Sequence, residues 1–205
     1  MMHERSQSAS VNGSEVPQRP AHVLVIEAPY YADICELLRA GAVKELTAKN
    51  ATYEIVRVPG ALELPQAFGL AIDAMRFRPH GVIDVDDEDD EAGPSVSADS
   101  ASGDVQPAQP FDGAIILGCV IRGETSHYDV VCENANHWTM ERAMKQGIPL
   151  GNALLTVDTH EQAKARAGGA GGGKGADAAR ACLTLIALRD RFELESELFE
   201  GEGVL

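Results

Sequence analysis

The stretch Gly113-Ala-Ile-Ile-Leu117, running directly into Gly118-Cys-Val-Ile-Arg-Gly-Glu-Thr-Ser-His127 and then Tyr128-Asp-Val-Val-Cys-Glu-Asn134, decides the fold class. Its first five residues are continuously apolar, the pattern of a strand buried on both faces of a parallel sheet, so helices must cover both sides. The polar residues that follow open a helix. Ser126 and Asp129 stand at capping-box spacing, with Ser126 as N-cap and the acid three residues on. Unpartnered N–H groups of such a first turn, from Gly123 to His127, point outward and suit a phosphate or carboxylate. Arg122 and His127 flank the turn. A cation adds to an anion site, and imidazole, with an unperturbed pKa of about 6.5, moves protons near neutral pH. An Arg and a His beside a helix start serve about as often as solvated or capping groups, so spacing alone leaves their purpose open.

Outward from this segment the chain alternates. Val23-Leu-Val-Ile26 is a short β-branched strand, followed by a helical pattern from about Tyr31 to Lys49 with Ile34, Leu37, Leu38 and Val43 on its apolar face. Thr52 to Val58 reads as a second strand ending at Pro59-Gly60, and Ala61 to Met75 as a helix with Pro65 in its first turn. The third strand at Gly113 leads to a helix from about Ser126 to Gln146, stopped by Gly147 and Pro149. A fourth strand spans Leu150 to Val157, then come helices over Thr159 to Ala167 and Ala176 to Phe192. Four strands alternating with helices predict an α/β fold: a three-layer α/β/α sandwich on a four-stranded parallel sheet with right-handed crossovers, in flavodoxin-like arrangement.

Composition limits what surrounds this core. The net charge is −15 over 205 residues, but nine acidic and no basic residues lie between Asp84 and Asp104, leaving −6 for the rest. No basic field exists to hold nucleic acid or an anionic membrane. Residues 1–20 are Ser-rich and polar and read as a flexible arm. Residues 79–110 lose all periodicity and read as a disordered acidic insertion, and residues 193–205, with five Glu, as an acidic tail. A single domain over 21–192 remains. Cys35, Cys119, Cys132 and Cys182 are scattered, without zinc-ligand spacing, and read as reduced core thiols of a cytoplasmic protein; no signal peptide and no run of eighteen apolar residues is present.

Three further segments are candidates for a site. Glu27-Ala-Pro-Tyr-Tyr31 and Pro59-Gly-Ala-Leu-Glu-Leu-Pro65 follow the first two strands, and ligands of open parallel sheets bind outside the carboxyl ends of strands. Tyr30 offers a face for a planar ring and Glu63 an acceptor for hydroxyl or ring N–H groups, although packing and helix-terminus charge are ordinary roles for both. The third segment, Gly168 to Gly175, nearly matches the phosphate-loop pattern. It fails where Gly175 replaces the hydroxyl residue, and it follows a helix where that motif needs a strand. A loop carrying the cations Arg166 and Lys174 is the better reading.

Taken in order, Pro59-Gly-Ala-Leu-Glu-Leu-Pro65, Gly118-Cys-Val-Ile-Arg-Gly-Glu-Thr-Ser-His127 and Arg166 through Lys174-Gly175 resemble the 6,7-dimethyl-8-ribityllumazine synthase family. The resemblance spans roughly residues 21 to 192 apart from the insertion. It implies a transferase of riboflavin biosynthesis that condenses 5-amino-6-ribitylamino-uracil with 3,4-dihydroxy-2-butanone 4-phosphate, with no cofactor and no metal. It also implies self-association as a homopentamer, in some members a shell of twelve pentamers, with active sites between subunits. The implied partners are the two small-molecule substrates and, among proteins, riboflavin synthase. By resemblance His127 is the acid/base group, and Arg166 with Gly123, Glu124 and Thr125 holds the phosphate. Tyr30 stacks on the pyrimidine, Glu63 binds the ribityl chain, and Ala61, Leu62, Cys119, Val120 and Ile121 line the ring pocket. Lys174 approaches from the adjoining subunit, and Asn152 replaces an aromatic of some members near the incoming substrate. Pro29, Leu62, Cys119 and the insertion also depart from the usual pattern. A non-catalytic ligand binder or scaffold is the competing reading, but it has no need of His127, Arg166, Glu63 and Lys174 together.

Overall fold

The computed structural model describes residue 17 and residues 19–79, 109–169 and 171–202. Most of the expected arm and of the acidic insertion, and the last three residues of the tail, lie outside the described residues. The elements run β1 (His22–Ala28), α1 (Ala32–Ala48), β2 (Thr52–Arg57), α2 (Glu63–Asp73), β3 (Gly113–Ile121), α3 (His127–Lys145), β4 (Leu150–Val157), α4 (His160–Ala167) and α5 (Gly173–Glu202). All strand pairings are parallel, in the order β2-β1-β3-β4. Side chains of β1 and β3 alternate between two apolar layers, as a doubly covered sheet requires. Val23, Val25, Ile115 and Leu117 join Ile34, Leu38, Ala163, Ala179 and Ile186 on the α1/α4/α5 side. Leu24, Ile26, Ala114 and Ile116 join Leu64, Phe68, Ala135 and Ala143 on the α2/α3 side. The expected three-layer sandwich is the observed one.

The strand at Gly113 extends four residues past Leu117, carrying Cys119 to Ile121 to the end of the sheet. The last helix differs more. Where residues 193–205 read as a tail, α5 continues to Glu202. Arg189–Glu193 (3.8 Å) and Arg191–Glu195 (3.7 Å) pair at i,i+4 across that extension, each such pair adding about 0.3 kcal/mol of helix stability.

The glycine run before α5 has a packing explanation. Gly172 and Gly173 sit at φ +94° and +62°, and a Cβ on Gly175 would fall 1.9 Å from the Leu38 carbonyl oxygen of α1. Only a bare backbone lets α1 and α5 approach this closely. The glycines that imitate a phosphate loop are therefore a helix-packing device.

At the amino end of the sheet the chain is held by a charge cluster built on Asp112, which is 1% exposed. Arg19 donates two hydrogen bonds to its carboxylate, one of 2.9 Å, and the His22 N–H donates another at 2.8 Å. Arg78 (3.3 Å) and Arg189 (3.7 Å) add their charges. Arg19 lies within the stretch expected to be a flexible arm, so that expectation is corrected at its last residues: a fork of two hydrogen bonds ties them down. Beside it, Phe77 and Phe111 form an isolated parallel bridge. The Arg78 N–H donates to the Phe111 carbonyl (2.9 Å) and the Phe111 N–H to that of Arg76 (2.8 Å).

Burial alone would push the Asp112 carboxyl up, but the Arg19 hydrogen bond, the His22 N–H and the Arg19 and Arg78 charges outweigh it and hold it below the ordinary carboxylate range. A carboxylate whose folded-state pKa is depressed adds stability above its unfolded pKa of about 3.9 and loses it as pH falls through the folded value. Asp112→Asn should cost about 3 kcal/mol near pH 7, because the arginines keep their charge without their partner. The difference in melting temperature between wild type and variant should shrink as pH falls below about 4. Thermal melts across that range check it, and a constant difference would refute it.

Candidate active site

In this strand order the direction of winding reverses between β1 and β3, and the crevice outside the carboxyl ends of those strands is the favoured ligand position. A cavity of about 340 Å³ opens there. Tyr30 and Tyr31 reach it from the end of β1, and Gly60 to Glu63 from the turn after β2. Cys119, Val120 and Ile121 come from the end of β3, and Gly123, Thr125, His127, Tyr128 and Val131 from the turn and the start of α3. Thus Tyr30, Ala61, Leu62, Glu63, Cys119, Val120, Ile121, Gly123, Thr125 and His127, all expected at a site from sequence, share one cavity. Gly60, Tyr31, Tyr128 and Val131 line it too and had not been singled out. Val131 could have been found, since it lies one helical turn after His127.

The wall is apolar and the rim polar. Tyr30 is 74% exposed and meets Tyr31 edge-on at 5.1 Å between ring centroids, leaving its ring available to a planar ligand. Cys119 is buried, and burial, with Asp33 and Cys132 adding, pushes its thiol up to about 11. It is a neutral wall group at pH 7 and not a nucleophile. Glu27, within the first candidate segment, does not line the cavity. It is fully buried, where its carboxylate accepts from Arg57 at 2.6 Å and Arg39 at 3.0 Å. That pairing keeps a buried charge satisfied and braces the strand end that carries Tyr30.

The turn before α3 is not the expected capping box. Ser126 already has helical φ and ψ (−66°, −4°) and its side chain caps nothing. Thr125 Oγ1 instead accepts a long hydrogen bond from the His127 N–H (3.4 Å). Asp129 turns to Arg122, whose Nη2 donates to it at 3.0 Å. No acceptor among the described residues takes the N–H groups of Gly123, Glu124, Thr125 or Ser126. Open donors at the positive end of a helix are what an anion needs. His127 stands exposed beside them.

Glu124 lies on this turn without lining the cavity, and three other expected residues are elsewhere in the chain's own fold. Asn152 on β4 donates to Asn136 Oδ1 of α3 (2.9 Å). Arg166 ends α4, exposed, and Lys174 pairs with Asp177 (2.8 Å) at the start of α5. A second groove, about 720 Å³, runs between α2 and α3 and shares Leu62 with the cavity. Along it Leu70 (70% exposed), Val130 (51%) and Trp138 (50%) face outward. Among the described residues no cluster of His, Cys, Asp or Glu could hold a metal ion, and no helix is long and apolar enough to cross a membrane.

A family model described as 6,7-dimethyl-8-ribityllumazine synthase matches residues 20–85 and 95–190. Among curated relatives, 6,7-dimethyl-8-ribityllumazine synthase 1 of Rhizobium meliloti is 39% identical over 177 residues, covering 86% of this chain and 97% of the relative. The protein of the same name from Rhodopseudomonas palustris is 40% identical over 171 residues, 83% and 87% of the two chains. The 6,7-dimethyl-8-ribityllumazine synthase of Beijerinckia indica is 36% identical over 192 residues, 94% and 88%. With the match spanning nearly the whole sandwich and the cavity seated where the strand order reverses, the chain belongs to the 6,7-dimethyl-8-ribityllumazine synthase family.

Proposed function

We propose that the protein condenses 5-amino-6-ribitylamino-uracil with 3,4-dihydroxy-2-butanone 4-phosphate to 6,7-dimethyl-8-ribityllumazine, the penultimate step of riboflavin biosynthesis. The observation that carries the reading is the convergence of an acid/base imidazole, an open anion turn, an exposed aromatic face and a carboxylate on one cavity. The substrate amine attacks the ketone, water leaves to give an imine, phosphate is eliminated, and the ring closes with loss of a second water. Each step moves a proton, so one imidazole at the phosphate end serves repeatedly. His127 is that group. The N–H groups of Gly123 to Thr125 take the phosphate, Tyr30 stacks on the pyrimidine, and Glu63 holds ribityl hydroxyls. Val120, Ile121, Cys119, Ala61 and Leu62 form the ring pocket. Fixing two substrates in reacting geometry supplies several kcal/mol of the acceleration.

Arg166, Lys174 and Asn152 enter the site from a second copy. None of the three lines the cavity of its own chain, which supports this, as does the exposed apolar surface of α2 and α3 beside the cavity, the kind of patch that copies cover on assembly. Copies arranged head to tail around a closed ring, here a homopentamer, give every cavity a neighbour. The four thiols, all unpaired, fit a cytoplasmic enzyme, and riboflavin synthase, as consumer of the product, is the protein partner. Mixing both substrates with the purified protein should produce lumazine absorbance and fluorescence far above the uncatalysed rate. Absence of acceleration would sink this reading.

A further inference from the structure

Arg122 precedes the anion turn, yet its cation is spent elsewhere. Its guanidinium forks onto Asp129, with Nη2 at 3.0 Å from Oδ1 and Nη1 at 3.4 Å from Oδ2. Its Nε donates to Asp158 Oδ1 at 3.2 Å. Its flat face lies 4.0 Å from the centroid of the Tyr128 ring, which itself lines the cavity. The backbone is anchored as well, through the Arg122 N–H to the Val157 carbonyl (2.9 Å). Arg122 thus closes the turn on itself, from the end of β3 to the first turn of α3, and ties it to the segment after β4. Three of its five N–H donors and one face of its guanidinium are thereby engaged within the chain.

We propose that Arg122 is a positioning residue for the phosphorylated substrate, which keeps the Asp129 and Asp158 carboxylates neutralised and turned away from the Gly123–Thr125 turn. This rests on the function proposed above. A phosphate arriving at that turn carries up to two negative charges, and two bare carboxylates next to it would repel it. Asp129 sits in the first turn of α3, where a carboxylate competes with an anionic ligand for the same helix end. Arg122 removes that competition. It also holds the Tyr128 ring against the wall beside His127, so charge and shape are set by one side chain.

The test uses the full-length assembled protein as wild type, Arg122→Met, and Arg122→Met combined with Asp129→Asn and Asp158→Asn. Kinetics with each substrate varied in turn are read beside titration with inorganic phosphate and thermal melts. Arg122→Met should raise KM for the butanone phosphate and weaken phosphate binding about ten-fold, while KM for the pyrimidine changes less than about three-fold. The triple variant should recover phosphate binding to within about three-fold of wild type, since the repelling charges are gone. Equal rises in both KM values, an unchanged Arg122→Met, or a triple variant no better than the single one would each overturn the proposal. If Arg122→Met melts below the assay temperature, Arg122→Lys decides: it keeps the charge and should hold phosphate binding within about three-fold, and a ten-fold loss refutes the idea. Phosphate titration judges Arg122 even if wild type fails to accelerate the condensation, so the two readings fail separately.

Discussion

His127→Ala should lower kcat about 10- to 100-fold while leaving both KM values within a few-fold, measured by lumazine fluorescence under saturating substrates. General acid–base groups contribute about 10²- to 10⁴-fold, and the loss falls to that lower end or below it where solvent can replace part of the role. His127 is exposed at the mouth of the cavity, so water reaches the reacting atoms once the imidazole is gone. The ring pocket and the anion turn are untouched, so orientation of the two substrates survives. A wild-type kcat in the variant would remove His127 from the mechanism.

Arg166→Ala should raise KM for the butanone phosphate about 100-fold, the loss expected when a guanidinium leaves a charge-assisted pair with phosphate. The pyrimidine KM should stay near wild type. Because Arg166 lies on α4, outside the cavity of its own chain, the defect should also be complemented in mixed assemblies. Unfolding and reassembling His127→Ala with Arg166→Ala chains in equal amounts would give about one quarter of the sites both intact groups, if each site draws on two neighbours in a closed ring. Activity should then rise well above that of either variant alone. If mixing restores nothing while the chains demonstrably co-assemble, Arg166 serves its own chain and the shared-site reading falls.

The layers and the order of elements were legible because β1, β3 and β4 are short apolar runs bounded by Pro, Gly or polar residues, and α1 and α2 carry 3.6-residue apolar stripes. The cavity was legible for a related reason. In a parallel sheet every candidate loop after a strand ends on the same rim, so Tyr30, Glu63 and His127 had to meet. What sequence hid was contact across distance. Arg19 and Asp112 are 93 positions apart, and nothing local marks either as half of a cluster. The capping box failed for a local reason: Asp129 had a stronger partner in Arg122 than a backbone N–H. The glycines near Lys174 misled because close helix packing and phosphate binding both call for a missing side chain. Arg122, conspicuous beside the turn, is bound to two acids and a tyrosine ring, and only coordinates could reveal that.

The bridge between Phe77 and Phe111 makes one pole of the subunit a splice point. Residues 78 and 111 are hydrogen-bonded neighbours, so whatever chain runs between them leaves and returns at a single place. The entropic cost of such a loop grows only logarithmically, about 0.6 kcal/mol for each doubling of its length. That place lies at the amino end of the sheet, and the candidate cavity opens at the carboxyl rim. Sequence can be gained, lost or exchanged at this pole without reaching the chemistry, and a foreign segment grafted there would be carried once per subunit by a working enzyme.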